Sequence, residues 1–241
     1  EESDWSSDVC SSDLFAAIIA NRVLKGSSRA VYAQEIIFNK LLKAGSTTAF
    51  GMEHGFARIN SYDEFVKQVP VREYEAFKPY IERVKQGEEN VLWKGKPLYF
   101  AKSSGTTSGV KYIPITNDSI SNHINTARNA LLMYISETGN AGFVNGKLIF
   151  LSGSPVLEKT GGILTGRLSG IVNHHVPAYL RGNQLPSYDT NCIDDWEEKV
   201  DRIVEATWNQ DMTLISGIPP WVQMYFEKLL QKTGSKNIKE V

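Results

Sequence analysis

Apolar residues recur at helical spacing along the first part of the chain, between loops that are rich in polar residues and glycine. Gly45 follows the second such segment as a stop signal, and Ser61 opens a capping-box pattern before the third. Pro79 lies inside the fourth, and we expect it to interrupt the helix because proline has no N–H to donate. The predicted helices are Phe15–Leu24, Ala30–Ala44, Asp63–Gln68 and Tyr74–Gln86.

From residue 98 onward, short apolar runs alternate with helical segments. The predicted strands are Leu98–Lys102, Lys147–Leu151 and Thr213–Ile215, and the predicted helices are Asn117–Ser136, Asp195–Trp208 and Pro220–Gln231. This alternation predicts an α/β fold with a parallel sheet flanked by helices. We therefore predict a helical segment over residues 15–97 and an α/β domain over residues 98–241. The segment 161–173, which is glycine-rich as far as residue 171, is expected to form a loop on the substrate side.

Residues 1–14 show neither a helical nor a strand period. The segment Asp4–Leu14 looks like a translated sequencing adapter, so we exclude it from the fold and expect it to be disordered. A genuine acidic tail is the alternative. Of the two cysteines, only Cys192 then lies in the folded chain, and neither has metal-site spacing.

Composition excludes several classes of partner. The formal net charge of −1 gives no electrostatic case for binding nucleic acid or an anionic membrane surface. No apolar run approaches the roughly 20 residues of a membrane span. We therefore expect a cytoplasmic protein with neither kind of partner.

Between the predicted strand Leu98–Lys102 and the extended segment Tyr112–Ile115 lies a stretch with five hydroxyls, two glycines and one lysine in nine residues. Glycine lets successive N–H groups turn into one concavity, and hydroxyls and a lysine add donors that suit a polyphosphate. The spacing is not that of a Walker A motif. A plain polar surface loop is the alternative. The predicted phosphate-binding residues are Ser103, Ser104, Gly105, Thr106, Thr107, Ser108, Gly109 and Lys111.

These residues, with Tyr112-Ile113-Pro114, resemble the phosphate-binding signature of the auxin-responsive promoter (GH-three) family of acyl-acid amido synthetases, which belongs to the adenylate-forming superfamily. The resemblance continues through Val69–Tyr80 and through Ser216–Trp221. It implies an adenylation domain that uses ATP and Mg²⁺ to join a carboxylic acid to an amino acid or another amine. It also implies that the chain is an N-terminal fragment. The residues implied to line the acyl-acid pocket are Gly217, Ile218, Pro219 and Trp221.

Three other interpretations remain. One is a non-catalytic fragment that binds nucleotide. A remote one is a serine acyl-enzyme of the penicillin-binding type, since Ser108-Gly109-Val110-Lys111 fits S-x-x-K, although Pro114 argues against the helix that this motif needs. The pair His174-His175 suggests a metal site, but no acidic or cysteine residue has ligand spacing nearby, so we predict satisfied or surface histidines.

Overall fold

The structure is a computed structural model, and it describes residues 5–103, 109–176 and 178–241. The helices are α1 Trp5–Ser27, α2 Ala30–Gly45, α3 Ala49–Glu53, α4 Tyr62–Gln68, α5 Tyr74–Lys85, α6 Asn117–Thr138, α7 Leu168–Asn173, α8 Ala178–Arg181, α9 Tyr188–Asn191, α10 Trp196–Thr207 and α11 Pro219–Thr233. The strands are β1 Tyr99–Lys102, β2 Tyr112–Ile115, β3 Lys147–Phe150, β4 Glu158–Thr160, β5 Ile163–Arg167, β6 Gln184–Leu185 and β7 Met212–Ser216. Short 3₁₀ helices cover Phe56–Arg58, Gly142–Asn145 and Ile238–Glu240.

The chain divides into two compact units that interleave along the sequence. We call them the parallel-sheet unit and the hairpin unit. The parallel-sheet unit contains Ala130–Leu157 and Arg167–Val241, together with the chain up to Ala16. The hairpin unit contains Ala17–Asn129 and Glu158–Gly166.

The parallel-sheet unit holds a three-stranded sheet in the order β6-β3-β7, with β3 parallel to both neighbours. Its central strand is a continuous apolar run, as expected for a strand that is covered on both faces. Helices α10 and α11 share a core with it that includes Val200, Ile203 and Tyr225, none of which is more than 2% exposed. The predicted α/β class, with a parallel sheet flanked by helices, is confirmed.

The hairpin unit holds a four-stranded sheet in the order β2-β1-β5-β4. Strand β1 is antiparallel to β2, and β4 is antiparallel to β5. Our placement of the first predicted strand in the parallel sheet is therefore wrong. The physical reason is the short connection between β1 and β2, because an antiparallel partner needs only a tight loop whereas a parallel one needs a crossover of about a dozen residues or more.

The segment 161–173, which we expected to be a loop, instead begins with the turn of a hairpin. Gly161 and Gly162 have φ angles of 59° and 80°, the left-handed pair that two-residue hairpin turns favour. Strands β4 and β5 flank this turn and pair from Thr160–Ile163 outward. The glycines therefore shape a turn between two strands that we did not predict.

The N-terminal helices match their predicted positions with two differences. Helix α1 begins at Trp5, so the structure has helix where we expected disorder, and extending a nucleated helix costs little. Helix α5 runs through Pro79 without a break, because its buried residues Tyr80, Ile81 and Val84 hold it to the core across the single missing hydrogen bond. The predicted cap of α4 is confirmed, with Ser61 Oγ accepting from the Glu64 amide. Among the helices that the structure describes, none combines the length and apolar character that crossing a bilayer requires.

Candidate functional site

The predicted phosphate loop joins the two strands of the β1–β2 hairpin. Ser104, Gly105, Thr106, Thr107 and Ser108 lie outside the described residues, whereas Ser103, Gly109 and Lys111 lie within them.

The two ends of the loop are fastened to each other. The Ser103 amide donates to the Lys111 carbonyl at 3.0 Å. The Lys111 amide donates to Ser103 Oγ at 3.3 Å. One predicted phosphate ligand therefore also closes the base of the loop, and the strands reach that base as an ordinary antiparallel ladder.

Gly109 turns the chain into the second strand. Its φ angle is 77°, a region that a residue with a side chain rarely adopts. Among the described residues, apart from its chain neighbours, none has an atom within 4 Å of the position that a Cβ would take there. Backbone conformation, and not crowding, is therefore what the structure requires of glycine at this position.

Lys111 lies beside an aromatic residue that our sequence analysis did not assign to the site. Its Nζ is 5.7 Å from the centroid of the Tyr74 ring, within cation–π range. The hydroxyl of Tyr74 accepts a hydrogen bond of 2.8 Å from the Tyr112 amide. Tyr74 thus contacts both the lysine and the main chain next to it. No local signal points to this, because Tyr74 lies 38 residues before Tyr112, at the start of α5.

A second lysine borders the loop, but its charge is neutralised. Lys102 Nζ lies 2.5 Å from Glu158 Oε2. Lys111 has no carboxylate partner among the ion pairs of the described residues. The cation available to an anionic ligand at this loop is therefore Lys111.

The predicted acyl-acid residues lie in the other unit, where β7 leads into the first turn of α11. Gly217 allows a close approach there, since a Cβ would be 2.8 Å from the Cβ of Leu151. Ile218 precedes the helix and is 52% exposed, and Pro219 is the first residue of α11. Proline fits that position because its missing N–H would have no partner in the first turn.

Trp221 packs into the core of the parallel-sheet unit. Its ring stacks on that of Trp196, with centroids 4.1 Å apart and planes 23° apart. The ring is partly buried against the cluster that contains Ile203 and Leu229. The structure thus gives Trp221 a packing role, and its contact with a substrate stays a prediction.

Metal-ligating residues do not cluster in the part of the chain that the structure describes, where no group of three or more His, Cys, Asp or Glu side chains could hold an ion. His174 uses its Nε2 to donate to the Pro155 carbonyl at 2.7 Å.

Comparison with known proteins places the chain, including the phosphate loop, in one family. The model of the GH3 family N-terminal domain matches residues 19–199. Jasmonoyl–L-amino acid synthetase JAR4 of Nicotiana attenuata is 25% identical over 136 residues, which make up 55% of this chain and 23% of the relative.

Two solved structures share the fold. GH3.15 acyl acid amido synthetase aligns with a TM-score of 0.71 at 16% identity, over 88% of this chain and 38% of that one. AtGH3.15 acyl acid amido synthetase in complex with 2,4-DB aligns with a TM-score of 0.65 at 18% identity, over 85% of this chain and 36% of that one. The chain thus spans between about a quarter and two fifths of the length of these relatives.

Proposed function

Because this chain belongs to the GH3 family, we propose that it is part of an acid–amino acid ligase that activates a carboxylic acid with ATP. The observation that supports this most directly is the loop between Ser103 and Lys111, which is fastened at its base and has a lysine free of carboxylates at its exit. Hydroxyls, glycine amides and one cation are the donors that a triphosphate needs.

The proposed reaction has two steps. A carboxylate oxygen attacks the α-phosphorus of ATP, which forms an acyl-adenylate and releases pyrophosphate. The amine of an amino acid, or another amine, then attacks the acyl carbon, an amide forms and AMP leaves. Neither step needs a nucleophile from the protein, so the residues act by positioning and by stabilising charge.

Each part of the loop has a proposed role. The hydroxyls and amides of Ser103–Gly109 bind the phosphates, and Lys111 lies against the β- and γ-phosphates, where negative charge builds up as pyrophosphate departs. Mg²⁺ bound with the nucleotide neutralises further phosphate charge. Gly217, Ile218, Pro219 and Trp221 form a wall for the acyl acid.

The test is acid-dependent exchange of labelled pyrophosphate into ATP, measured in the full-length protein across a library of carboxylic acids. Lys111→Ala should raise the ATP concentration for half-maximal exchange at least about tenfold, since charge-assisted hydrogen bonds contribute roughly 1.5–3 kcal/mol. Lys102→Ala is the matched control, because this lysine is on the same hairpin but pairs with Glu158. Equal ATP dependence in Lys111→Ala and the wild type would contradict the assignment.

This chain covers at most 38% of the length of these relatives. That favours a second candidate function for the 241 residues by themselves, which is nucleotide binding without turnover. Hydroxylamine traps acyl-adenylates as hydroxamates, so it separates the two candidates. Nucleotide binding without hydroxamate, for every acid in the library, supports the binding module. Hydroxamate formation by the 241-residue chain excludes it.

A further inference from the structure

A cavity of about 340 Å³ lies in the parallel-sheet unit, where β6 leads into α9. Its volume is near the lower end of the roughly 300–1,000 Å³ of small-molecule sites. It is separate from both segments assigned above, since none of its lining residues belongs to residues 103–111 or 216–221. We propose that this cavity binds a small organic anion, with a carboxylate or phosphate head and a flat apolar body.

His174 forms one wall of the cavity, and its ring is fixed in orientation. Its Nε2 donates to the Pro155 carbonyl at 2.7 Å, and a carbonyl can only accept, so the proton is on Nε2. The ring also meets that of Tyr188 edge-on, with centroids 6.3 Å apart. A protein contact therefore holds the imidazole in place beside the cavity, where its NMR signal can report a bound ligand.

Arg181 supplies the positive charge. Its Nε donates to the Val176 carbonyl at 2.9 Å, and one Nη donates to the His174 carbonyl at 3.5 Å. A guanidinium has five N–H donors, so about three remain for a ligand. Main-chain carbonyls orient this side chain without neutralising its charge, and a planar fork of this kind matches a carboxylate or a phosphate.

Acidic residues are missing from the described lining of the cavity, which combines one arginine and one histidine with neutral side chains. Gln184 and Asn173 bond to each other, with Gln184 Nε2 2.5 Å from Asn173 Oδ1, so their orientations are also fixed. With positive charge and no carboxylate, this lining favours anions and repels cations.

The remaining walls suit the body of the ligand. Pro155, Pro186 and the ring of Tyr188 present apolar surface. A benzoate-sized molecule has both of the required features, an anionic head and a flat body.

Imidazole NMR tests the proposal on the intact chain, which contains four histidines. In ¹⁵N-histidine-labelled protein, His174→Gln identifies the His174 signal, and the signal of buried His54 in the other unit is the internal control. Titration with benzoate or phenyl phosphate should move the His174 signal saturably and leave that of His54 unchanged. Methyl benzoate, which lacks the charge, should produce no saturable shift.

Arg181→Met should weaken the binding of benzoate at least tenfold. Arg202→Met is the matched control, because Arg202 is an exposed arginine of the same unit outside the cavity. Equal affinity in Arg181→Met and wild type, saturable binding of methyl benzoate, or no saturable shift with either anion would overturn the proposal. Comparing the two anions shows which head group the cavity takes. None of these outcomes depends on ATP, so failure here leaves the ligase proposal intact.

Discussion

At the scale of single residues, Tyr74 makes two separable contacts at the base of the phosphate loop. Tyr74→Phe removes the acceptor for the Tyr112 amide and keeps the ring under Lys111. We expect it to lower the free energy of unfolding by about 1 kcal/mol, the usual net contribution of such a bond. Urea unfolding at constant m-value measures this change.

Tyr74→Leu is the companion variant, since it removes the ring as well. It should cost more than Tyr74→Phe, because an exposed cation–π contact adds about 0.5–1 kcal/mol. In the full-length protein it should also raise the ATP requirement by more than Tyr74→Phe does. If both variants unfold at the wild-type urea concentration, Tyr74 does not support the loop.

At the scale of elements, α10 carries a lysine on its buried face. Lys199 is 3% exposed, and its burial lowers its pKa, although Asp194 partly opposes this. Below the folded pKa, Lys199 is protonated in both the folded and the unfolded state. The folded state then bears the full cost of burying the charge, and this cost does not change with pH. Between the folded pKa and the ordinary value, the unfolded chain binds more protons, so stability rises with pH.

Lys199→Met should therefore stabilise the protein at pH 7, and its advantage over the wild type should shrink as the pH rises toward 10. The comparison is made variant against wild type at each pH, because the raised pKa values of Tyr80 and Tyr225 affect both proteins alike in that range. Urea midpoints across pH 7–10 report the difference. A constant difference across this range, or destabilisation at pH 7, would show that Lys199 has a compensating partner.

At the scale of the whole molecule, the β4–β5 hairpin belongs to a unit whose other residues lie far away in sequence. Gly161 is the residue of the hairpin that contacts helix α5, since a Cβ there would be 1.8 Å from the Lys85 carbonyl oxygen at the end of α5. Gly161→Ala should thus add a steric clash with backbone to the roughly 1 kcal/mol of left-handed strain. Gly162→Ala is the control, because its φ is also positive but no described residue beyond its chain neighbours lies within 4 Å of the position of a Cβ.

Thermal unfolding should show a larger fall in Tm for Gly161→Ala than for Gly162→Ala. The difference between the two variants isolates the clash, because both incur the strain. Equal falls would mean that α5 and the hairpin move apart freely.

Sequence reasoning predicted the features that local periodicity determines. Helix α10 forms where it was predicted, with Val200, Ile203 and Thr207 buried, and β3 and β7 are parallel. It missed β6, which has only two residues, and it put β1 in the wrong sheet, because strand pairing depends on neighbours that are distant in sequence. At the candidate site, composition indicated the loop, whereas Tyr74 and the cavity residues come together only through tertiary contacts.

The fastened base of the loop bears on how this protein can vary over evolution. Ser103 and Lys111 are hydrogen-bonded to each other. An insertion or deletion among the intervening residues therefore changes the length of the loop and leaves its two ends in place. The register of β1 with β2 is then insulated from such changes in length. Mutation can therefore change how far this loop extends toward a ligand while the sheet that carries it remains intact.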